Sequence, residues 1–173
     1  TWPAMIAAVT DLNGRITGAH RTWLDPNGFD PVRLGKAPID SPRRAMGHLL
    51  GNAVRFGTVR DVAAAGEGIE TMLALRGVMP DMPMMAALSA AHLAAILFPA
   101  TLRRLYVVRD NDPAGDGALD RLFDRAHAAR IDAVALSPQA DDFNADLRRF
   151  RIEALRRAVR VQLVPDDVAR FMC

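Results

Sequence analysis

The chain has 173 residues, half of them apolar and 24% charged, with a formal net charge of +2, the composition of an ordinary globular protein with room for one domain, or a domain and a small appendage. No apolar run approaches the roughly 20 residues of a membrane span, and no secretory or transit segment is visible. Aromatic residues are only 6% of the chain, so a core has to be built from Ala, Val, Leu, Ile and Met.

The first part reads as β-rich and irregular. Two strands are expected over Ala4 to Thr10 and Arg15 to Leu24. They are joined by Asp11-Leu12-Asn13-Gly14, whose Asn-Gly pair suits a hairpin turn. Asp25 to Arg44 is dense in Pro, Gly and Asp and predicts loop, and Ala53 to Phe56 another short strand. This segment is too small for a large core of its own and is expected to pack on the rest of the chain.

From about Thr58 strands alternate with helices. Expected strands are Val62 to Ala65, Met84 to Leu88, Leu105 to Val108 and Ile131 to Leu136. The helices between and after them are Ile69 to Val78, Ala90 to Phe98, Asp116 to Arg130 and Ala145 to Arg160. In the third helix Leu119, Leu122, Phe123 and Ala126 fall on one face. Such alternation predicts parallel pairing through right-handed crossovers. Ligands then bind beyond the carboxyl ends of the strands.

Acidic residues fall at those ends. The first of these strands runs into Gly66-Glu67-Gly68-Ile69-Glu70, where the glycines permit a tight turn and close backbone approach. The third runs into Arg109-Asp110-Asn111-Asp112-Pro113-Ala114-Gly115, and the fourth is followed by Asp141-Asp142-Phe143-Asn144. Each acid except Glu67 also has an ordinary reading. Asp112 before Pro113 is a good helix cap. Glu70 sits where a helix dipole favours any carboxylate, and Asp141 and Asp142 suit a solvated loop or a cap. A glutamate between two glycines has no such role.

Carboxylates without His or Cys partners suit a hard cation. Mg²⁺ takes oxygen ligands, keeps several waters and uses one or two protein carboxylates, leaving positions for phosphate. His20, His48, His92 and His127 are widely separated, and the only cysteine is Cys173, so no Cys-based zinc site and no internal disulfide is expected. The basic residues are almost all arginine, with Lys36 the only lysine. Such a bias follows from GC-rich coding as readily as from nucleic-acid binding.

The combination resembles the Toprim family, shared by bacterial primases, type IA and type II topoisomerases and several nucleases. Gly66-Glu67-Gly68-Ile69-Glu70-Thr71, Asp110-Asn111-Asp112-Pro113-Ala114-Gly115 and Asp142-Phe143-Asn144 are similar to primase-like Toprim domains of plasmids, phages and integrated elements. The likeness runs from about Thr58 to Ala158. It implies an α/β Toprim fold: a central, roughly four-stranded parallel sheet flanked by helices, after a small β-rich N-terminal subdomain. The expected divisions are 1–57, a catalytic domain over 58–160 and a tail over 161–173.

The resemblance implies a Mg²⁺-dependent nucleotidyltransferase, with Mn²⁺ as a substitute, while the lone cysteine points to a reducing cytoplasm and to no zinc site. Glu67, Asp110 and Asp112 would be catalytic and metal-binding, with Asp142 and Glu70 as further acids near the metal. Expected partners are single-stranded DNA, nucleotide triphosphates and other parts of a larger replication protein, such as a zinc-binding or helicase part, and no membrane. Arg21, Arg43, Arg44 and Arg109 are candidate phosphate contacts, although Arg109 departs from the small or apolar residue expected before the Asp-x-Asp. The only tyrosine, Tyr106, lies inside an apolar strand and is expected in the core, so the chain is no complete topoisomerase. A nuclease using the same site and a non-catalytic nucleic-acid-binding module are the alternatives.

Overall fold

The computed structural model describes residues 1–28 and 35–172. The hairpin forms as expected, β1 over Ala4–Thr10 and β2 over Ile16–Trp23 in antiparallel register, with Ile6 opposite Arg21 and Ala8 opposite Ala19. A third strand, β3 (Arg43–Gly47), pairs antiparallel with β2 and completes a three-stranded sheet. It begins at the end of a stretch predicted as loop. The part of that stretch over 29–34 lies outside the described residues.

Strand alternation gives this sheet two chemically different faces. Met5, Ala7 and Val9 turn inward onto the main core, whereas Ile6 on the other face is 73% exposed. The sheet meets the rest of the molecule through Thr10, which pairs with Ala53 just before β4 (Val54–Phe56).

The second sheet has five strands in the order β4-β6-β5-β7-β8. Its members β5 (Val62–Gly66), β6 (Met84–Ala86), β7 (Arg104–Val108) and β8 (Asp132–Leu136) are all parallel, and β4 is an antiparallel edge on β6. Successive residues of a strand serve opposite faces. Ala64, Met84, Tyr106 and Val108 pack with α1 (Ile69–Arg76), α4 (Phe143–Arg160) and α5 (Pro165–Phe171). Ala63, Ala65, Met85, Leu105 and Val107 pack with α2 (Ala90–Ala94) and α3 (Pro113–Ala128). The result is three layers, with Ala and Met filling much of the interior as the scarcity of aromatics requires.

The largest buried side chains include Tyr106 and Phe143. Tyr106 is fully buried, in agreement with its expected core position. Its hydroxyl donates to Asp167 Oδ2 of α5 at 2.6 Å and accepts the Val164 N–H at 3.1 Å. Residues read from sequence only as a tail therefore carry a docked helix, whose Phe171 joins the core. No described helix is long and apolar enough to cross a membrane.

Candidate active site

Strands β5 and β7 are neighbours, yet the helices that follow them, α1 and α3, lie on opposite faces of the sheet. That divergence opens a crevice at their carboxyl ends, where open α/β sheets bind ligands. Gly66 pairs with Val108 at the last rung, so the chain leaves both strands at the same level, delivering Glu67 on one side and Asp110 on the other. A Cβ on Gly66 would lie 2.7 Å from Met72 Sδ and 2.9 Å from Val108 Cβ, so no side chain is tolerated there. The glycine that ends β5 thus makes room for the Met72 and Val108 side chains, whereas the sequence suggests a tight turn and close backbone approach.

Glu67 is half-buried. Its carboxylate lies near the Ala90 N–H at the start of α2, which favours the charged form, while its backbone carbonyl accepts the Leu88 N–H at 2.8 Å. Leu88 adopts φ 78°, a left-handed conformation costly for leucine, and so the loop after β6 grips the Gly66–Glu67 turn under local strain. Burial, and then the charge of Asp112, raise the Glu67 pKa. Arg43 opposes the rise.

Asp110 is the most perturbed acid of the group. Burial, then the charges of Glu67, Asp142 and Asp112, push its pKa up to about 7. Its Oδ1 is buried and has no hydrogen-bond partner among the described residues. The backbone beyond it turns tightly, with the Asp112 N–H donating to Asp110 O at 2.9 Å, and α3 starts against that carbonyl. Gly115 is required there because a Cβ would collide with Asp110 O.

Asp112 and Asp142 each cap a helix. Asp112 Oδ1 accepts the Gly115 N–H at 2.7 Å, and Asp142 Oδ1 accepts the Ala145 N–H at 2.6 Å. The cap reading therefore holds for both residues, and the same two side chains stand near Asp110. Capping fixes the side-chain torsion and turns a carboxylate whose charge reaches Asp110. Glu70 lies 3.9 Å from Arg43 Nη1, with His20 and Lys36 near enough to feel its charge, and it is not among the charges that act on Asp110.

The four candidate arginines are separated by the fold. Arg43 lies on the inner face of β3, beside the acids. Arg21 and Arg44 are opposite each other in register on the outer face, where Arg21 stacks 4.8 Å over Trp23. Arg109 is engaged locally: Nη2 donates to Asn111 Oδ1 at 2.8 Å, and Nε lies 2.7 Å from Asp116 Oδ1. The structure adds Lys36 and His20 beside Arg43, and Arg148 and Asp142 near Lys36. Burial, and then the Arg43 charge, lower the Lys36 pKa. Arg43 is a candidate from sequence, but its grouping with Lys36 and His20 is not legible there, because β3 is not anticipated.

Four carboxylates thus face one crevice, and the buried, unpartnered Asp110 Oδ1 is an acceptor in want of a donor or an ion. Among the described residues, no three His, Cys, Asp or Glu side chains form a ready-made metal cage. The donor set is all oxygen and fits an ion held by one or two carboxylates and otherwise by water.

The profile of the Toprim domain family matches residues 62–151. The chain belongs to the Toprim family. Residues 1–56 match a domain of unknown function (DUF7146). Among solved structures, the primase fragment of the bacteriophage T7 primase-helicase protein is 14% identical with a TM-score of 0.62, covering 92% of this chain and 62% of its own. A DNA primase domain from Pseudomonas aeruginosa is 16% identical, TM-score 0.60, covering 92% and 51%. The Aquifex aeolicus primase, comprising zinc-binding and RNA polymerase domains, is 16% identical, TM-score 0.57, covering 91% and 40%. The present Toprim chain spans at most about three fifths of these relatives, and at such identities the likeness is one of fold. It extends over both sheets, not the Toprim part alone. A comparison with curated proteins finds no match.

Proposed function

We propose that this Toprim chain is the nucleotidyl-transfer core of a primase-like protein, acting with Mg²⁺ on nucleotide triphosphates and single-stranded DNA. The observation that carries the reading is Asp110: a carboxylate with a buried oxygen that has no partner among the described residues, ringed by Glu67, Asp112 and Asp142 at the divergence of β5 and β7. Support comes from primase structures that share the fold over 92% of this chain.

Glu67 and Asp110 would hold the ion, with Asp112 and Asp142 reaching it directly or through its waters and Glu70 at the margin. Bound there, Mg²⁺ would supply charge neutralisation for phosphate oxygens and lower the pKa of an attacking hydroxyl. The chain's own residues do the rest. The rigid exits of β5 and β7 fix the acids, the caps of α3 and α4 orient Asp112 and Asp142, and Arg43, Lys36 and His20 face the crevice as a rim for the polyphosphate or template backbone. Segregating acid on one wall from base on the other allows an anionic substrate to approach a site that would otherwise repel it.

The test is oligonucleotide synthesis on single-stranded DNA with nucleotide triphosphates and Mg²⁺ or Mn²⁺, using the full-length parent as a control. Metal-dependent synthesis that drops by at least two orders of magnitude in both Glu67→Gln and Asp110→Asn is expected. Cleavage without synthesis makes the protein a nuclease. DNA binding that survives both substitutions, with no turnover by the parent, makes it a binding module.

A further inference from the structure

The loop between β8 and α4 is tied down by one side chain from the first turn of that helix and one from just beyond its end. Asp146, in the first turn of α4, is 1% exposed. Its Oδ2 accepts the Gln139 N–H at 2.8 Å and its Oδ1 accepts the Ala140 N–H at 2.7 Å. Gln162 grips the other end of the loop, accepting the Ser137 N–H at 2.8 Å and donating back to Ser137 O at 3.1 Å. The loop is bonded in turn to the Asp110-Asn111-Asp112 turn. The Asn111 N–H donates to Asp141 O at 2.8 Å, and Asn111 Nδ2 reaches Ala140 O at 3.4 Å. Hydrogen bonds therefore run without a break from Asp146, through residues 139–141, into the middle residue of the Asp-x-Asp.

We propose that Asp146 is a positioning residue, which sets where the Asp110–Asp112 turn stands relative to Asp142. The inference rests on the acidic crevice being the metal site. A buried carboxylate is costly unless both oxygens are satisfied, and here each oxygen has one backbone amide. Only an acceptor on both sides matches two convergent N–H groups, so asparagine, although equal in size, turns one contact into donor against donor. Asn111 sits between the two aspartates, so slack in the loop reaches both. Residues that orient metal ligands from behind affect affinity by about 10–100-fold when lost.

Three variants test this: Asp146→Asn, Asn111→Ala and their double. Tyr106→Phe serves as a control, since it loosens the distant α5 contact without touching the loop. Mn²⁺ affinity is measured on folded protein by the spin-resonance signal of the free ion, and amide hydrogen exchange is followed at Asn111, Gln139 and Ala140. We expect Asp146→Asn to weaken Mn²⁺ binding by about tenfold and to deprotect the Asn111 amide while β7 stays protected. The double variant should be no worse than the more affected single one. Tyr106→Phe should lower the melting temperature without changing Mn²⁺ affinity. An Asp146→Asn protein that melts lower but keeps both Mn²⁺ affinity and Asn111 protection overturns the proposal. If wild-type protein binds no Mn²⁺, the metal-site reading fails instead, and exchange at Asn111 still decides whether Asp146 positions the turn.

Discussion

Asp110 is held in a state that the fold itself makes unfavourable. Its pKa stands near 7 in the native chain, against about 3.9 when unfolded. Between those values the native state binds a proton that the unfolded state has released, so stability falls as pH rises from about 4 to 7 and stays low above. Asp110→Asn removes the charge and keeps the shape. In chelator, thermal melts should show the variant gaining stability over wild type at pH 8, with little difference at pH 4, and losing the wild-type stabilisation by Mn²⁺. A variant no more stable at pH 8 would mean that the crevice is wet enough to solvate the charge. Arg151 carries a different local cost: within α4 it adopts φ 69° and ψ 169°, a region open essentially to glycine. Arg151→Gly should raise stability by roughly 1 kcal/mol, strain relief exceeding the entropy cost of glycine. Urea titration would show it, and a loss of similar size would mean that α4 is continuous in solution.

Single elements are legible to the extent that their neighbours in sequence determine them. Strand β7 is β-branched and apolar, and its expected bounds nearly match the true ones, as do those of the helix that buries Leu122 and Ala126. The Glu67 and Asp110 positions follow from strand ends alone. Strand β3 is not legible, because Arg43–Gly47 is exposed at every residue and owes its extended state to pairing with β2. Helix α5 escapes notice for the same reason of distance. Asp167 is 3% exposed and accepts from Tyr106 and Arg104, 61 and 63 residues away, while Arg170 grips Asp61 with two bonds of 2.8 and 2.7 Å. Tyr106→Phe removes one of two side-chain donors to Asp167 and should cost about 1–3 kcal/mol, seen as faster amide exchange across α5. Exchange unchanged in α5 would show the hydroxyl to be incidental. The alternation of β3 yields a further prediction for DNA binding. Arg43→Ala should weaken single-stranded DNA binding and lower the salt slope by about 1, whereas Arg44→Ala, on the outer face, should leave both nearly unchanged. The reverse result would place DNA on the outer face.

For the molecule as a whole, the crevice gains Arg43 and His20 beside its acids only once both sheets are in place. Its acids come from three strand exits of the parallel sheet, while Arg43 and His20 come from the antiparallel one. The small first sheet therefore both packs on the main core and places Arg43 beside Glu67. The outer border of β3 has a further consequence. Among the described residues it is the free edge of its sheet, exposed at every residue, with Met46 59% exposed and Ile6 73% exposed nearby. An open edge of that kind templates strand addition by another chain unless charge deters it. Arg43 and Arg44 stand side by side on it, one to each face, so any second copy approaching edge to edge meets its own positive charge. Neutralising both should then raise the rate of aggregation on storage, and that rate should rise with salt as the remaining charge is screened.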